Sequence, residues 1–424
     1  MRTYPKRAPM GWNSWDCYGA AVDEATVRAN AEYMAAHLKQ SGYEYVVVDI
    51  QWSEPTAENH EYHAFAPLCM DAYGRLLPAE NRFPSAAGGR GFKPLADYVH
   101  SLGLKFGIHI MRGIPRQAVH RDLPVLGSGK TARQIAKTAS ICAWNTDMYG
   151  IDPEKDGARA YYNSIFALYA EWGVDFIKCD DIAREMPACE AELRLLSDCL
   201  AACSRPMVLS LSPGASLPEY AELYKETANM WRMSDDFWDR WEALYEMFGF
   251  AEKWCMHAGA GRYPDADMLP VGAILQDYGK ENRSKFTRAE LETMLTLWCM
   301  IRSPLMIGGD LTKLTADELT LLTNEELLKM HASVRFTKPV FRRRINGTEY
   351  AVWLAADAGG TCYIGVFNLS DTDADGLCID ANELELDELA AAELWSGKRQ
   401  HGTVLVTDPI PAHGCTLWKI TENR

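Results

Sequence analysis

Three observations predict an α/β fold, a (β/α)8 barrel followed by a C-terminal antiparallel β-sandwich domain. Through residue 335, short apolar runs rich in β-branched residues alternate with amphipathic helical stretches. No glycine-rich phosphate turn follows the first run, which speaks against an open dinucleotide-binding sheet. From residue 336 the helical period stops and short alternating runs take over. The expected domains are therefore 1–335, the barrel, and 336–424, the β-domain. A chain of 424 residues exceeds what one hydrophobic core usually supports, in keeping with two.

The candidate barrel strands, in order, are 8–12, 45–49 (YVVVD), 105–110 (KFGIHI), 174–179 (VDFIKC), 207–211 (MVLSL), 229–233 (NMWRM), 253–257 and 301–307. Near-continuous apolar strands imply a parallel sheet covered on both faces, and eight such units favour closure. Between them, 24–40, 92–101 and 158–172 repeat apolar residues at three- and four-residue spacing, the mark of a helix with one buried face. In the β-domain the runs are 350–354, 362–368, 376–379, 393–395, 403–406 and 416–420. Turn residues such as Asn346-Gly347 and Ser396-Gly397 separate them.

A formal charge of −15 removes the basic footprint that nucleic acid or an anionic membrane requires, and neither partner is expected. No apolar stretch approaches a membrane span. The N-terminal MRTYPKRAPMGWNSW has no apolar signal core, and the twelve cysteines form no CxxC pair, so free thiols in a reducing cytoplasm are the expectation. The sequence is compatible with a homo-oligomer.

In a barrel the active site gathers where strands end at the C-terminal face. The polar residues at those ends are Trp12, Trp15, Asp49, Trp52, His109, Arg112, Lys178, Asp180, Asp181, Ser210, Ser212, Arg232, Asp235, Asp236, Asp265 and Asp267. Several acids accompanied by Trp suggest two-carboxylate glycoside chemistry, in which one carboxylate attacks the anomeric carbon and the other shuttles a proton. Lys178 lies two residues before Asp180 and so shares its face of the strand, where a cation would keep a nucleophilic carboxylate ionised. Asp181 fits a helix cap and Asp16 a turn. His60 and His63 have no third ligand at a sensible spacing, so neither a metal nor another cofactor is expected. Met111, Met233 and Met268 read as packing residues, Met268 with an option on the pocket.

Ordered motifs add a resemblance. They are 10–15 (MGWNSW), 43–52 (YEYVVVDIQW), 81–84 (NRFP), 91–108, 172–180 (WGVDFIKCD), Trp231-Arg232 through Asp236, 265–269 (DADML) and 303–311 (SPLMIGGDL). Along nearly its whole length the chain resembles glycoside hydrolase family 27, the α-galactosidase and α-N-acetylgalactosaminidase family. The resemblance implies Asp180 as nucleophile beside Lys178, and Asp236 as acid/base beside Arg232, with Asp235 as the rival one position off. It implies Trp15, Asp49 and Asp267 as sugar contacts, with Met268 beside Asp267 at the pocket edge. It also implies double displacement with retained configuration.

Three departures bear on the sugar. Family α-galactosidases carry two adjacent aspartates after the second strand for the 4- and 6-hydroxyls, whereas this chain has Asp49-Ile50. Small Ser212 and Ala215 stand where galactosidases place a bulky acid against the 2-hydroxyl, a pattern that admits a 2-acetamido group. Ile182 replaces the cysteine of the family's disulfide beside the nucleophile. Arg112 and Arg116, in a segment unlike better-known members, either line the pocket or pair with surface acids. The resulting expectation is an exo-acting α-galactosidase-type hydrolase of a terminal galactose-like sugar. The alternatives are α-N-acetylgalactosaminidase, β-L-arabinopyranosidase and isomalto-oligosaccharide hydrolase. A non-catalytic carbohydrate-binding barrel would have lost a carboxylate at the fourth or sixth strand, and a metal-dependent hydrolase would show His-rich strand ends. Neither is the case.

Overall fold

The computed structural model describes residues 5–275, 282–384 and 389–421. They gather into two compact units. Of these residues, the first comprises 5–236, 268–275, 282–283 and 305–314; the second comprises 237–267, 284–304, 315–384 and 389–421.

In the first unit, seven strands form one parallel sheet: β1 (Met10–Asn13), β2 (Tyr45–Val48), β3 (Lys105–Met111), β4 (Phe176–Asp180), β5 (Val208–Leu211), β6 (Met230–Arg232) and β8 (Leu305–Ile307). Their order is β6-β5-β4-β3-β2-β1-β8. On the far side of β8, Leu269 bridges in parallel to Ile307, so the sheet continues past that strand. The strand between β6 and β8 in the chain, β7 (Tyr263–Asp265), belongs to the second unit. This is the (β/α)8 architecture with its strands buried on both faces; all four residues of β1, β2 and β5 are buried.

Local chemistry sets the helix limits. Helix α1 (Glu24–His37) starts at Asp23, whose carboxylate accepts from Thr26 N at 2.8 Å. Helix α2 (Lys93–Ser101) has a proline, Pro94, as its second residue, which suits its first turn. Helix α3 (Ala158–Trp172) stops at Gly173, whose φ of 85° a residue with a Cβ would resist. Helix α4 (Glu190–Ala202) follows β4, and helix α5 (Ala221–Thr227) follows β5. Residues 114–151 hold an extra antiparallel sheet of Ile114–Pro115, Ala136–Ile141 and Met148–Ile151.

The seventh barrel strand departs from the expectation. Residues 253–257 are the end of helix α6 (Trp241–Trp254) and a following turn. Leu244, Met247, Phe248, Ala251 and Trp254 are buried at three- and four-residue spacing, so the short apolar run is the last turn of a helical stripe. The true strand is only Tyr-Pro-Asp, and its proline masked it. Likewise Ile301 ends helix α7 (Arg288–Ile301), and β8 starts at Leu305.

In the second unit, helices α8 (Ala316–Leu322) and α9 (Glu325–Ser333) lead into the β-domain. Its strands are β9 (Val334–Ile345), β10 (Thr348–Asp357), β11 (Cys362–Asn368), β12 (Cys378–Asp380), β13 (Leu389–Glu393), β14 (Arg399–Gly402), β15 (Val404–Val406) and β16 (Cys415–Thr421). A six-stranded antiparallel sheet runs β9-β10-β11-β16-β13-β14, and β12 pairs with β15. Ile379 and Leu405 of that ribbon pack with Val352, Ile364, Val366 and Trp418 of the sheet in one apolar core. Among the described residues no helix is long and apolar enough to cross a membrane.

Candidate active site

A cavity of about 340 Å³ opens in the first unit. Its lining is Trp15, Asp49, Ile50, Tyr62, Trp144, Lys178, Asp180, Arg184, Pro213, Asp235 and Asp236. The residues come from the ends of β1, β2, β4 and β6 and from the segments after β2, β3, β4 and β5. Five of the expected site residues, Trp15, Asp49, Lys178, Asp180 and Asp236, meet there.

Asp180 closes β4 and is buried. Its carboxylate accepts from His109 Nε2 at 2.8 Å and from the Ser212 hydroxyl. Burial alone would raise this carboxyl. The charges of Lys178 and His109, with the bonds from His109 and Ser212, outweigh that and hold it well below the usual carboxylate range. Asp180 is thus an ionised carboxylate facing a cavity.

Lys178 makes its own direct bond to Asp49, Nζ to Oδ2 at 2.9 Å. Burial disfavours its ammonium, but Asp49 and Asp180 more than offset this and raise it above the ordinary lysine value. Asp49 is 0% exposed and also accepts from Asn13 Nδ2 at 2.6 Å. The other side of the Asn13 amide accepts from Trp15 N at 2.8 Å, so one residue of β1 orients both Asp49 and Trp15. Asp236 is exposed and pairs with the buried Arg232 at 3.1 Å. Its rival Asp235 lies in a bidentate pair with Arg184, both bonds 3.1 Å.

The remaining expected residues fall elsewhere. Ser212 is buried and spends its hydroxyl on Asp180; Pro213, not Ser212, lines the cavity. Arg232 acts on the cavity through Asp236. Asp267 belongs to the second unit, where its carboxylate accepts from Phe237 N at 2.8 Å and its carbonyl from Trp298 Nε1 at 3.0 Å. Asp181 is no helix cap: it sits at φ 62°, ion-paired with Arg112 at 2.9 Å. Burial nonetheless raises its carboxyl to about 6. Arg112 is buried against Asp181 and Glu192, and Arg116 stacks on Tyr149, so neither arginine lines the cavity and Arg112's partners are interior acids.

Asp49, His109 and Asp180 bring three ligand atoms within 4.8 Å of one another, a spacing a metal ion accepts. Here the donors Lys178, Asn13, His109 and Ser212 already meet those carboxylates, and the Lys178 ammonium supplies the positive charge. Of the other histidine pair, His60 Nε2 lies 2.7 Å from Trp15 O and His63 Nδ1 lies 3.3 Å from Glu54.

Sequence reasoning missed Tyr62, Trp144 and Arg184. Tyr62 stacks on Trp15 with centroids 5.7 Å apart and meets Trp144 at 5.4 Å. Behind them Ile50, Met111, Cys142 and Met148 form a buried apolar cluster, against which Trp15, Tyr62 and Trp144 pack. The aromatic residues 60–65 formed the available signal, but they follow no helical or strand period.

Residues 7–153 and 153–332 match the family model described as alpha galactosidase A, and residues 347–420 match the alpha galactosidase C-terminal beta sandwich domain. The chain belongs to glycoside hydrolase family 27. It is a glycosidase, and its substrate is a carbohydrate. Family 27 relatives include the α-galactosidase of Cyamopsis tetragonoloba, 26% identical over 97% of this chain and 86% of that protein. A family 27 β-L-arabinopyranosidase from Geobacillus stearothermophilus, crystallised with arabinose, is 50% identical, with a TM-score of 0.94 over 99% of this chain and 98% of that one. A Bacillus halodurans protein put forward as an α-N-acetylgalactosaminidase is 46% identical, with a TM-score of 0.87 over 99% of this chain and 100% of that one.

Proposed function

We propose that this enzyme is a retaining β-L-arabinopyranosidase that removes terminal arabinopyranosyl residues. The observation behind this choice of sugar is the wall at Ile50. Where family α-galactosidases have the second of the two aspartates that bind the 4- and 6-hydroxyls, this cavity presents Ile50, backed by Met111, Cys142 and Met148. β-L-Arabinopyranose has the ring configuration of α-D-galactopyranose with hydrogen in place of the hydroxymethyl group. A hydroxyl pressed against such a wall without a partner costs about 1–3 kcal/mol. The pentose avoids that cost. Similarity to the arabinopyranosidase from Geobacillus stearothermophilus, at 50% identity, supports the same reading. The commitment of Ser212 to Asp180 weakens the case for a 2-acetamido pocket.

In the mechanism, the Asp180 carboxylate attacks the anomeric carbon as the bond to the leaving oxygen breaks, and Asp236 gives that oxygen its proton. Water then attacks the same carbon while Asp236 takes its proton, and Asp180 departs. Retained configuration follows from the two inversions. The low proton affinity of Asp180 suits both steps, because it keeps the nucleophile ionised and makes it a good leaving group. Arg232 keeps Asp236 oriented through its 3.1 Å pair.

The test is kcat/KM on nitrophenyl β-L-arabinopyranoside, α-D-galactopyranoside, α-N-acetylgalactosaminide and α-D-glucopyranoside. The arabinoside is expected to exceed the galactoside by ~5- to 150-fold, as one unpartnered hydroxyl implies. A galactoside preference would overturn the choice of sugar and leave the catalytic pair standing.

A further inference from the structure

Tyr62 has no part in the mechanism above, yet its surroundings are built to present it. The stretch from Gln51 to Ala66 is stitched to the insertion 114–151 after β3, outside its strands. Phe65 N donates to Thr146 Oγ1 at 2.6 Å, Gln117 Nε2 donates to Ala66 O at 2.6 Å, and Gln51 Nε2 donates to Asp147 Oδ2 at 2.6 Å. The neighbouring histidines are tied down on Trp15 and Glu54. The Tyr62 ring stacks nearly parallel on Trp15, at 12°, and meets Trp144 at a tilt of 44°.

We propose that Tyr62 is a further substrate-contacting residue, its hydroxyl donating a hydrogen bond to a hydroxyl oxygen of the bound sugar. The ring faces the cavity beside Asp49, Asp180 and Asp236. Among the described residues, nothing shares a hydrogen bond with the Tyr62 hydroxyl, whereas Asp49, Asp180 and Asp236 each already accept from an Asn, His, Ser, Lys or Arg side chain. A donor left open in a pocket whose acceptors are already engaged awaits an acceptor from the ligand. The phenol also stays protonated: burial pushes it up, and the charges of Asp180, Asp49 and Asp236 push it further. The inference rests on reading this cavity as the sugar site, and it holds for either pentose or hexose.

Tyr62→Phe keeps both ring contacts and removes only the donor. It is expected to lower kcat/KM on the best nitrophenyl glycoside by about 10-fold, and to weaken binding of free L-arabinose or D-galactose, titrated calorimetrically, by a similar factor. Its melting temperature should stay at the wild-type value, and Trp144→Phe should weaken sugar binding less. If Tyr62→Phe binds the free sugar and turns over substrate within 2-fold of wild type, the proposal is overturned. Asp180→Ala runs alongside. Turnover in that variant would defeat the catalytic assignment, while the sugar titration, which needs no turnover, still reads Tyr62.

Discussion

Ile50→Asp places a carboxylate where family α-galactosidases have one, and the structure sets the size of the effect. Ile50 is 4% exposed and faces the cavity next to Asp49. A hydroxyl bonded to a charged acceptor gains about 1.5–3 kcal/mol, so the hexoside should gain ~10- to 150-fold in kcat/KM. The pentoside has no hydroxyl there and leaves the new carboxylate unpartnered, a loss of about 1–3 kcal/mol. Together the galactoside-to-arabinoside ratio should rise by ~10²- to 10⁴-fold. A further acid beside Asp49 and Asp180 adds like-charge repulsion, so Ile50→Asn, neutral and of similar shape, separates hydrogen bonding from charge. Losing Ile50 from the cluster with Met111, Cys142 and Met148 should cost about 2–4 kcal/mol of stability, visible in denaturant unfolding. The assay is kcat/KM for both nitrophenyl glycosides in the wild type and the two variants, at a temperature where all are folded. An unchanged ratio in folded Ile50→Asp would refute the argument that this wall excludes the hydroxymethyl group.

Three further outcomes follow from the same geometry. Asp180→Ala should lose at least about 10⁴-fold in kcat, since no other group takes over covalent attack, and residual turnover near wild type would remove it from the mechanism. His109→Phe deletes the 2.8 Å donor to Asp180, so the carboxyl rises toward the ordinary value and the acid limb of the kcat/KM profile moves to higher pH; an unmoved limb would show that His109 does not set that ionisation. The same shift governs stability: the depressed carboxyl stabilises the fold above its unfolded value of about 3.9 and loses that contribution as pH falls through its folded value, so His109→Phe should weaken the pH dependence of unfolding in that acid window. Lys178→Met strands Asp49, 0% exposed, without its 2.9 Å counter-charge and should cost about 3–5 kcal/mol in urea unfolding; a smaller loss would mean that Asn13 alone suffices for Asp49.

What the sequence reveals is what local periodicity encodes. Strands β2 to β5 are legible because a strand buried on both faces is a largely apolar run. Strand β7 is illegible because three residues with a central proline carry no pattern. Strand β9 is hidden by its arginines and by register shifts near Val334 and Pro339. The same divide runs through the site. Lys178 and Asp180 share a strand face, so their neighbourhood is readable two residues apart. The bond of Lys178 to Asp49 spans 129 residues, and that of His109 to Asp180 spans 71, so only the fold reveals them. Asp181 looks like a cap in sequence because its partner, Arg112, arrives from just past the end of β3.

That divide also explains how one scaffold serves several sugars. The charged floor, Asp49, Lys178 and Asp180, comes from strand ends whose backbones are fixed by the parallel ladder. Lys178 and Asp49 compensate each other directly in a buried setting, so replacing either one leaves a charge without its partner. The apolar wall of Ile50, Tyr62 and Trp144, backed by Cys142 and Met148, comes mostly from segments beyond the strands and holds no charge. Replacing one of these neutral residues by another changes shape and hydrogen bonding without stranding an ion. Sugar choice can therefore change at the wall by single residues, while the floor changes only through coordinated substitutions.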